Sequence, residues 1–155
     1  MGDLSINEIL ESCELFKDFE KKEIEHVAAI CRLETFGAGN SLFRQGDFGG
    51  NLYVIAEGQV FLERATDLGS RKGNVVISML GKGRVCGCWS TLLNDAHHLM
   101  SSAVCQKETK VVVVEGEKLR KIMQSDTVFG FGVLEKLCFL LRDRIQGAYG
   151  AMEKI

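Results

Sequence analysis

Four side chains near the middle of the chain have the chemistry of soft-metal ligands: Cys86, Cys88, His97 and His98. Cys86 and Cys88 stand two residues apart, so on a strand both thiols project from one face. Two thiols and two imidazoles suit Zn²⁺ or iron, which is the chemistry of a metal, haem or redox sensor. The spacing argues the other way, because C-x-C is not a usual structural-zinc pattern and adjacent histidines diverge. The surrounding stretch, Arg84 to Cys105, carries a second chemistry. A strand-like lead-in (Arg84-Val85-Cys86) is followed by Gly87, Cys88, Trp89 and a short helical patch from Ser90 to Leu93. An Asn94-to-His98 loop follows, then Leu99, Met100, Ser101 and a strand-like run from Ser102 to Cys105. Strand, glycine, one helical turn and strand form a path that aims successive backbone N–H groups at an anion. No nucleophile–base pair, P-loop or carboxylate pair is recognisable, and Glu108 and Glu115 read as the solvated ends of a strand. The residues predict a binding site and not an enzyme.

The chain that must position this stretch has 155 residues, the length of one domain with a real core. Its 46% hydrophobic and 26% charged content is ordinary for a globular protein. A net charge of −2 leaves no electrostatic footprint for nucleic acid. No apolar run approaches the roughly 20 residues that span a bilayer, and the N-terminus shows no basic and apolar leader. Met1-Gly2 is not followed by the Ser or Thr a myristoylation site wants, since residue 6 is Ile. The six cysteines contain no C-x-x-C and several sit in apolar segments, which predicts buried reduced thiols in a cytoplasmic protein. There is no proline, so turns rely on the 17 glycines and on Asn and Asp.

Periodicity divides the chain in three. Residues 1–32 form an N-terminal helical segment, 33–116 a β-barrel that contains the 84–105 stretch, and 117–155 the C-terminal helices, all in one structural domain. Ser5 to Cys13 reads as a short helix with a possible capping box at Ser5 and Glu8, and Lys21 to Arg32 as a second amphipathic helix. From Leu33 the period becomes strand-like, with turns at residues 37–40, 45–51 and 57–58 and a polar hairpin tip from Thr66 to Asn74. Val111 to Val114 are four β-branched residues in a row, which favours strand. Short strands at this spacing predict an antiparallel β-barrel or jelly roll flanked by helices at both ends.

The C-terminal helices carry two apolar lines. Phe131, Leu134, Cys138, Leu141, Ile145, Ala148, Met152 and Ile155 recur at 3, 4, 3, 4, 3, 4, 3, an a/d seam that predicts a homodimer. Val133, Leu137 and Leu140 form a second line, which is expected to face the barrel. Gly147 and Gly150 weaken the last turns by about 1 kcal/mol each relative to Ala.

The ordered pattern Phe36-x-x-Gly39-x-x-Leu42-Phe43-x-Gln45-Gly46-Asp47, then Leu52-Tyr53-Val54-Ile55-x-x-Gly58-x-Val60, resembles the cyclic-nucleotide-binding domain family. Gly46, Gly49 and Gly58 stand where tight connections want a positive φ or no Cβ. The resemblance runs from about Leu15 to Ile155 and makes 84–105 the equivalent of the family's phosphate-binding cassette. That cassette reads roughly Phe-Gly-Glu-x-Ala-Leu and ends in Arg-x-Ala/Ser, with Glu on the ribose 2′-hydroxyl and Arg on the cyclic phosphate. Gly87 is kept, Cys88 stands at the Glu position, and the Arg position falls on His98 or Leu99. The resemblance therefore implies a cassette of Gly87, Cys88, Trp89, Ser90, His98, Leu99, Ser101 and Ser102 that has lost two ligand-holding side chains. An Arg–phosphate and a Glu–hydroxyl contact are worth roughly 1.5–3 kcal/mol each, so losing both costs about two to four decades of affinity. A protonated His98 would replace the Arg in part.

The function this implies is a signal-sensing regulatory module, with cyclic AMP or cyclic GMP binding weak or lost, or another small ligand in its place. The ligand is expected to close the cassette and shift the helix near residues 125–132. In transcription factors of the family the long helix is the dimer interface and leads into a DNA-reading module. This chain corresponds to the sensor half, either stand-alone or excised, and is expected to bind no nucleic acid itself and no membrane. Two alternatives stay open: the Cys86, Cys88, His97, His98 metal or redox sensor, and a ligand-free dimerisation domain whose pocket has collapsed around Trp89 and Leu99.

Overall fold

The computed structural model describes residues 4–67, 69–70, 72–93, 95 and 98–154, apart from the side chains of residues 90 and 91. Of the residues singled out above, Met1, Gly2, Asn94, His97, Ile155 and the Ser90 side chain lie outside that set.

Two short helices open the chain: α1 (Ile6–Ser12) and α2 (Lys21–Ala28). The Ser5 hydroxyl caps α1 by accepting the Glu8 N–H at 3.2 Å. Eight strands follow among the described residues: β1 (Cys31–Phe36), β2 (Ser41–Phe43), β3 (Asn51–Glu57), β4 (Val60–Asp67), β5 (Lys72–Leu80), β6 (Val85–Gly87), β7 (Ser102–Cys105) and β8 (Thr109–Glu115). A 3₁₀ turn at Trp89–Leu93 separates β6 from β7, and α3 (Gly116–Ser125) and α4 (Thr127–Met152) close the fold. The strands form two four-stranded antiparallel sheets, ordered β1-β8-β3-β6 and β2-β7-β4-β5. This is the antiparallel roll with flanking helices that the sequence predicts.

The four valines explain where the core lies. All of Val111–Val114 are fully buried, although a strand turns successive side chains to opposite faces. Val112 and Val114 join Leu52, Val54 and the buried faces of α1–α4, whereas Val111 and Val113 join Ile55, Val60, Leu62 and Leu80 between the two sheets. The first sheet is thus covered by helices on one side and by the second sheet on the other. Each valine contributes about 1.5–3 kcal/mol by leaving water.

Two elements differ from the sequence reading. Lys21 to Arg32 was expected to be one helix, but α2 stops at Ala28, because Cys31 and Arg32 pair with Val114 and Val113 at the start of β1. The polar tip is also narrower than residues 66–74. Strands β4 and β5 continue pairing out to Asp67 and Lys72, as a ribbon exposed on both faces and so without an apolar alternation to reveal it. Of the three glycines singled out, Gly46 and Gly58 take φ of +91° and +118°.

Asp126 ends α3 and caps α4, its Oδ1 accepting the Phe129 N–H at 3.1 Å. The 26 residues of α4 bury Phe129, Val133, Leu137, Leu140 and Ala151 against the domain, and leave Phe131, Cys138, Ile145, Tyr149 and Met152 exposed. Farther along, α4 rests on β5: a Cβ on Gly147 would meet the Ile77 carbonyl oxygen at 2.7 Å. Among the described residues no helix is long and apolar enough to cross a membrane.

Candidate functional site: the cavity between the cassette and helix α4

The cassette begins where β6 runs out. Gly87 has φ +132°, and a Cβ there would lie 2.4 Å from the Asn51 carbonyl oxygen, so only glycine lets β6 approach β3 this closely. The Cys88 N–H then donates to that same carbonyl at 3.0 Å. The expectation that backbone donors from Gly87 onward face a ligand is therefore corrected at Cys88, whose donor is used inside the sheet. The 3₁₀ turn that follows is held by Arg120, which donates to the Leu92 carbonyl.

The two ends of the cassette are pinned together by the 46–49 turn. Gly46 donates to the Leu99 carbonyl and Leu99 donates to the Asp47 carbonyl, both at 2.8 Å. His98 Nδ1 lies 2.7 Å from the Gly46 carbonyl oxygen, and its ring meets Phe48 edge-on at 4.1 Å. Gly49 is tightly enclosed: a Cβ would lie 3.0 Å from Leu99 Cδ1 and 3.1 Å from Cys88 Cβ. Cys88 and Leu99 are both buried in the apolar cluster between the sheets. The Ser102 hydroxyl is likewise engaged, accepting the Gln45 N–H at 2.8 Å.

A cavity of about 450 Å³ stands behind this clamp. Of the cassette residues, Gly87, Cys88, Trp89, His98, Leu99 and Ser101 line it, and Ser102 does not. Trp89 and Leu99 thus border open space. The opposite wall comes from α4, through Leu141, Arg144, Ile145 and Ala148, three of which belong to the a/d seam.

The cysteines behave as core residues at this site. Burial pushes the Cys86 thiol up to about 12, against the attraction of the Arg144 charge. Burial likewise raises Cys13 to about 11 and Cys31 to about 12. None of the six cysteines is in a disulfide; Cys138 on α4 is exposed and Cys31 half-buried, which corrects the expectation of buried thiols at those two positions. Among the described residues no three His, Cys, Asp or Glu side chains gather in a group suited to a metal ion.

Two arginines in the cavity were not foreseen from the sequence. Arg64, from β4, reaches the cassette exit and donates to the Met100 carbonyl. Arg144, from α4, donates to the Val85 carbonyl and lies 3.5 Å from Glu14. Glu14 also engages Arg84, which reaches Asp143 of α4 at 2.9 Å. This ion-pair cluster ties the segment after α1 to the start of β6 and to α4. A signal for Arg144 was present: Val133, Leu137, Leu140, Arg144, Gly147 and Ala151 recur at 4, 3, 4, 3, 4, so the arginine interrupts the domain-facing line.

With this geometry established, comparison with known proteins is decisive. The profile of the cyclic nucleotide-binding domain matches residues 33–126, more than half of the chain. The chain belongs to the cyclic nucleotide-binding domain family. It is 30% identical over 100 residues to the cyclic AMP receptor protein of Thermus thermophilus, a match covering 64% of this chain and 44% of that protein. The chain therefore spans less than half the length of that relative. A cyclic nucleotide-binding domain from Methylobacillus flagellatus is 25% identical, with a TM-score of 0.78 over 97% of this chain and 83% of that one. The catabolite activator protein of Thermus thermophilus is 26% identical, with a TM-score of 0.70 over 90% of this chain and 62% of that one. Membership makes this a regulatory binding domain of the cyclic-nucleotide type and not a catalyst.

Proposed function

We propose that this domain is a small-ligand sensor in which cyclic nucleotide binding is weak or lost, and that it works as a homodimer through α4. The observation that carries the first part is that Cys88 and Leu99 are both buried in the apolar core, each close to Gly49. These positions correspond to the family's Glu and, with His98, to its Arg. Neither side chain offers a ribose hydroxyl or a phosphate a charged partner, and the Cys88 N–H is already used. The loss of about 3–6 kcal/mol moves a micromolar site to near millimolar. The open cavity favours a ligand-binding role over a collapsed dimerisation domain, and the buried thiols speak against the metal reading.

The dimer rests on the exposed half of the heptad line. Phe131, Leu134, Cys138, Ile145 and Met152 leave apolar surface on the side of α4 that its own domain does not cover. Leu141, Ile145 and Ala148 belong to this seam and also line the cavity. A ligand touching them biases the helix directly, and the Asp126-capped elbow between α3 and α4 is where the shift is taken up. The relative named a cyclic AMP receptor protein supports a sensing role.

Calorimetric titration with cyclic AMP, then cyclic GMP, up to millimolar tests the ligand half. No saturation below about 1 mM is expected, and a micromolar dissociation constant for either nucleotide would defeat the reading.

A further inference from the structure

The two cavity arginines have no counterpart in the cassette pattern, yet each is tethered at one end of the cassette. Arg64 Nη1 donates to the Met100 carbonyl and Arg144 Nη2 to the Val85 carbonyl, each at 2.5 Å. A guanidinium carries five N–H donors in a rigid fork, so one tether leaves donors for a further acceptor. In Arg144 the shortage of acceptors is visible. Its side chain is only 12% exposed, and its Nη1 is buried with no hydrogen-bond acceptor, the Asp143 carboxylate standing 3.6 Å away. Glu14 is engaged with the other nitrogen, Nη2. A buried donor of this kind lowers stability until an acceptor is supplied.

The rest of the lining decides what could supply it. No Asp or Glu borders the cavity among the described residues, and Leu62, Ile77, Leu99, Leu141, Ile145 and Ala148 make its walls apolar. Its volume of about 450 Å³ falls in the range of small-molecule sites. We propose that Arg64 and Arg144 read the charge of the ligand, and that the ligand is a small organic anion with an apolar body. The carboxylate or sulfonate is held by the guanidinium groups that line the cavity, and the body lies against the leucines and the α4 wall. The inference rests on the reading of this cavity as a ligand site, and adds to it the class of ligand and the residues that select it.

The test uses two fluorescent probes with the same aromatic body, 8-anilinonaphthalene-1-sulfonate and the uncharged N-phenyl-1-naphthylamine, with the intact chain. Trp89 is the sole tryptophan and borders the cavity, so energy transfer from it reports occupancy. The sulfonate is expected to bind saturably, and Arg64→Gln to weaken it about tenfold or more while leaving the neutral probe unchanged. Arg64 is exposed, so this variant does not depend on refolding a buried charge cluster; Arg144→Gln is the second. Arg32→Gln, on exposed β1, controls for net charge and should change neither probe. Equal affinity for both probes, no binding of either, or an equal loss in Arg32→Gln would overturn the proposal. Displacement of the sulfonate by micromolar cyclic AMP, dependent on Arg64, would support the arginine pair while defeating the weak-nucleotide reading, so the two failures are distinguishable.

Discussion

Single residues in this domain carry their chemistry through burial. Cys86, Cys31 and Cys13 each have a thiol whose ionisation is opposed by loss of water, raising it from 9.0 to about 12, 12 and 11. In the unfolded chain the same thiols ionise near pH 9. Between that pH and the folded values the unfolded state has lost protons that the native state keeps, so stability falls as pH rises. Below pH 9 the contribution is fully present. Replacing Cys86 with Ala is expected to lower stability at neutral pH through the cavity it leaves, yet to flatten the fall between pH 9 and 11 by up to about 1.4 kcal/mol per pH unit. Urea denaturation across that range measures it, and an unchanged slope would refute the assignment. At this scale the sequence was partly legible. Gly87 and Cys88 could be placed because the glycine pattern orders them, whereas Arg64 could not: it ends the alternating run from Gln59, where a charged side chain reads as solvated, and only the folded hairpin brings it to Met100. Arg144 was legible from its place in a helical line of apolar residues, but a lone charge in such a line gains meaning only once a cavity lies beneath it.

The elements obey periodicity where one face is buried and depart from it where pairing decides. Helix α4 follows its two lines: Val133, Leu137 and Leu140 are buried while Phe131 is 68% exposed. Helix α2 ends early because β8 offers Cys31 a partner, which local propensity cannot show. The exposed line yields a prediction about α4. Leu134→Asp or Phe131→Asp should convert a dimer to a monomer in sedimentation velocity, with the melting temperature of the fold little changed, because neither side chain supports the domain core. Mild oxidation of the wild-type dimer should join two chains through Cys138 on non-reducing gels, and Cys138→Ser should abolish the band. A dimer that persists in both aspartate variants would place the interface elsewhere.

Across the whole molecule, the proposed ligand site and the proposed dimer seam share one helix. Leu141, Ile145 and Ala148 border the cavity and belong to the seam, and Arg144 lies among them, bound to Glu14 and to the Val85 carbonyl. Linkage then requires reciprocity: if an occupied cavity tightens the dimer by some factor, dimerisation tightens the ligand by the same factor. The monomeric Leu134→Asp variant should therefore bind the sulfonate probe with an affinity changed by the square root of the factor by which saturating probe changes the dimer dissociation constant of the wild type, because each dimer holds two cavities. Concentration-dependent fluorescence titration compares the two, and identical probe affinity in monomer and dimer would mean that α4 transmits nothing. The family pattern could place the cassette and the helix in one molecule from sequence alone. Their meeting at a shared wall could not be read there, because it depends on α4 lying against β5 at Gly147.

The position of β8 has a consequence for how the protein is made. The strand is hydrogen-bonded to β1 on one side and β3 on the other, with both faces buried. Its partner β1 begins at Cys31, and β8 is complete only at Glu115. At about 5–20 residues per second, the roughly 80 residues between them take about 4–16 s to synthesise. Until then β1 lacks its partner strand, and β3, once made, holds an open edge and unburied apolar faces, a template for pairing with neighbouring chains. The four valines that fill the first sheet also close these strand edges, so slowing translation upstream of Val111 should lower the soluble yield of a protein whose finished fold is unchanged.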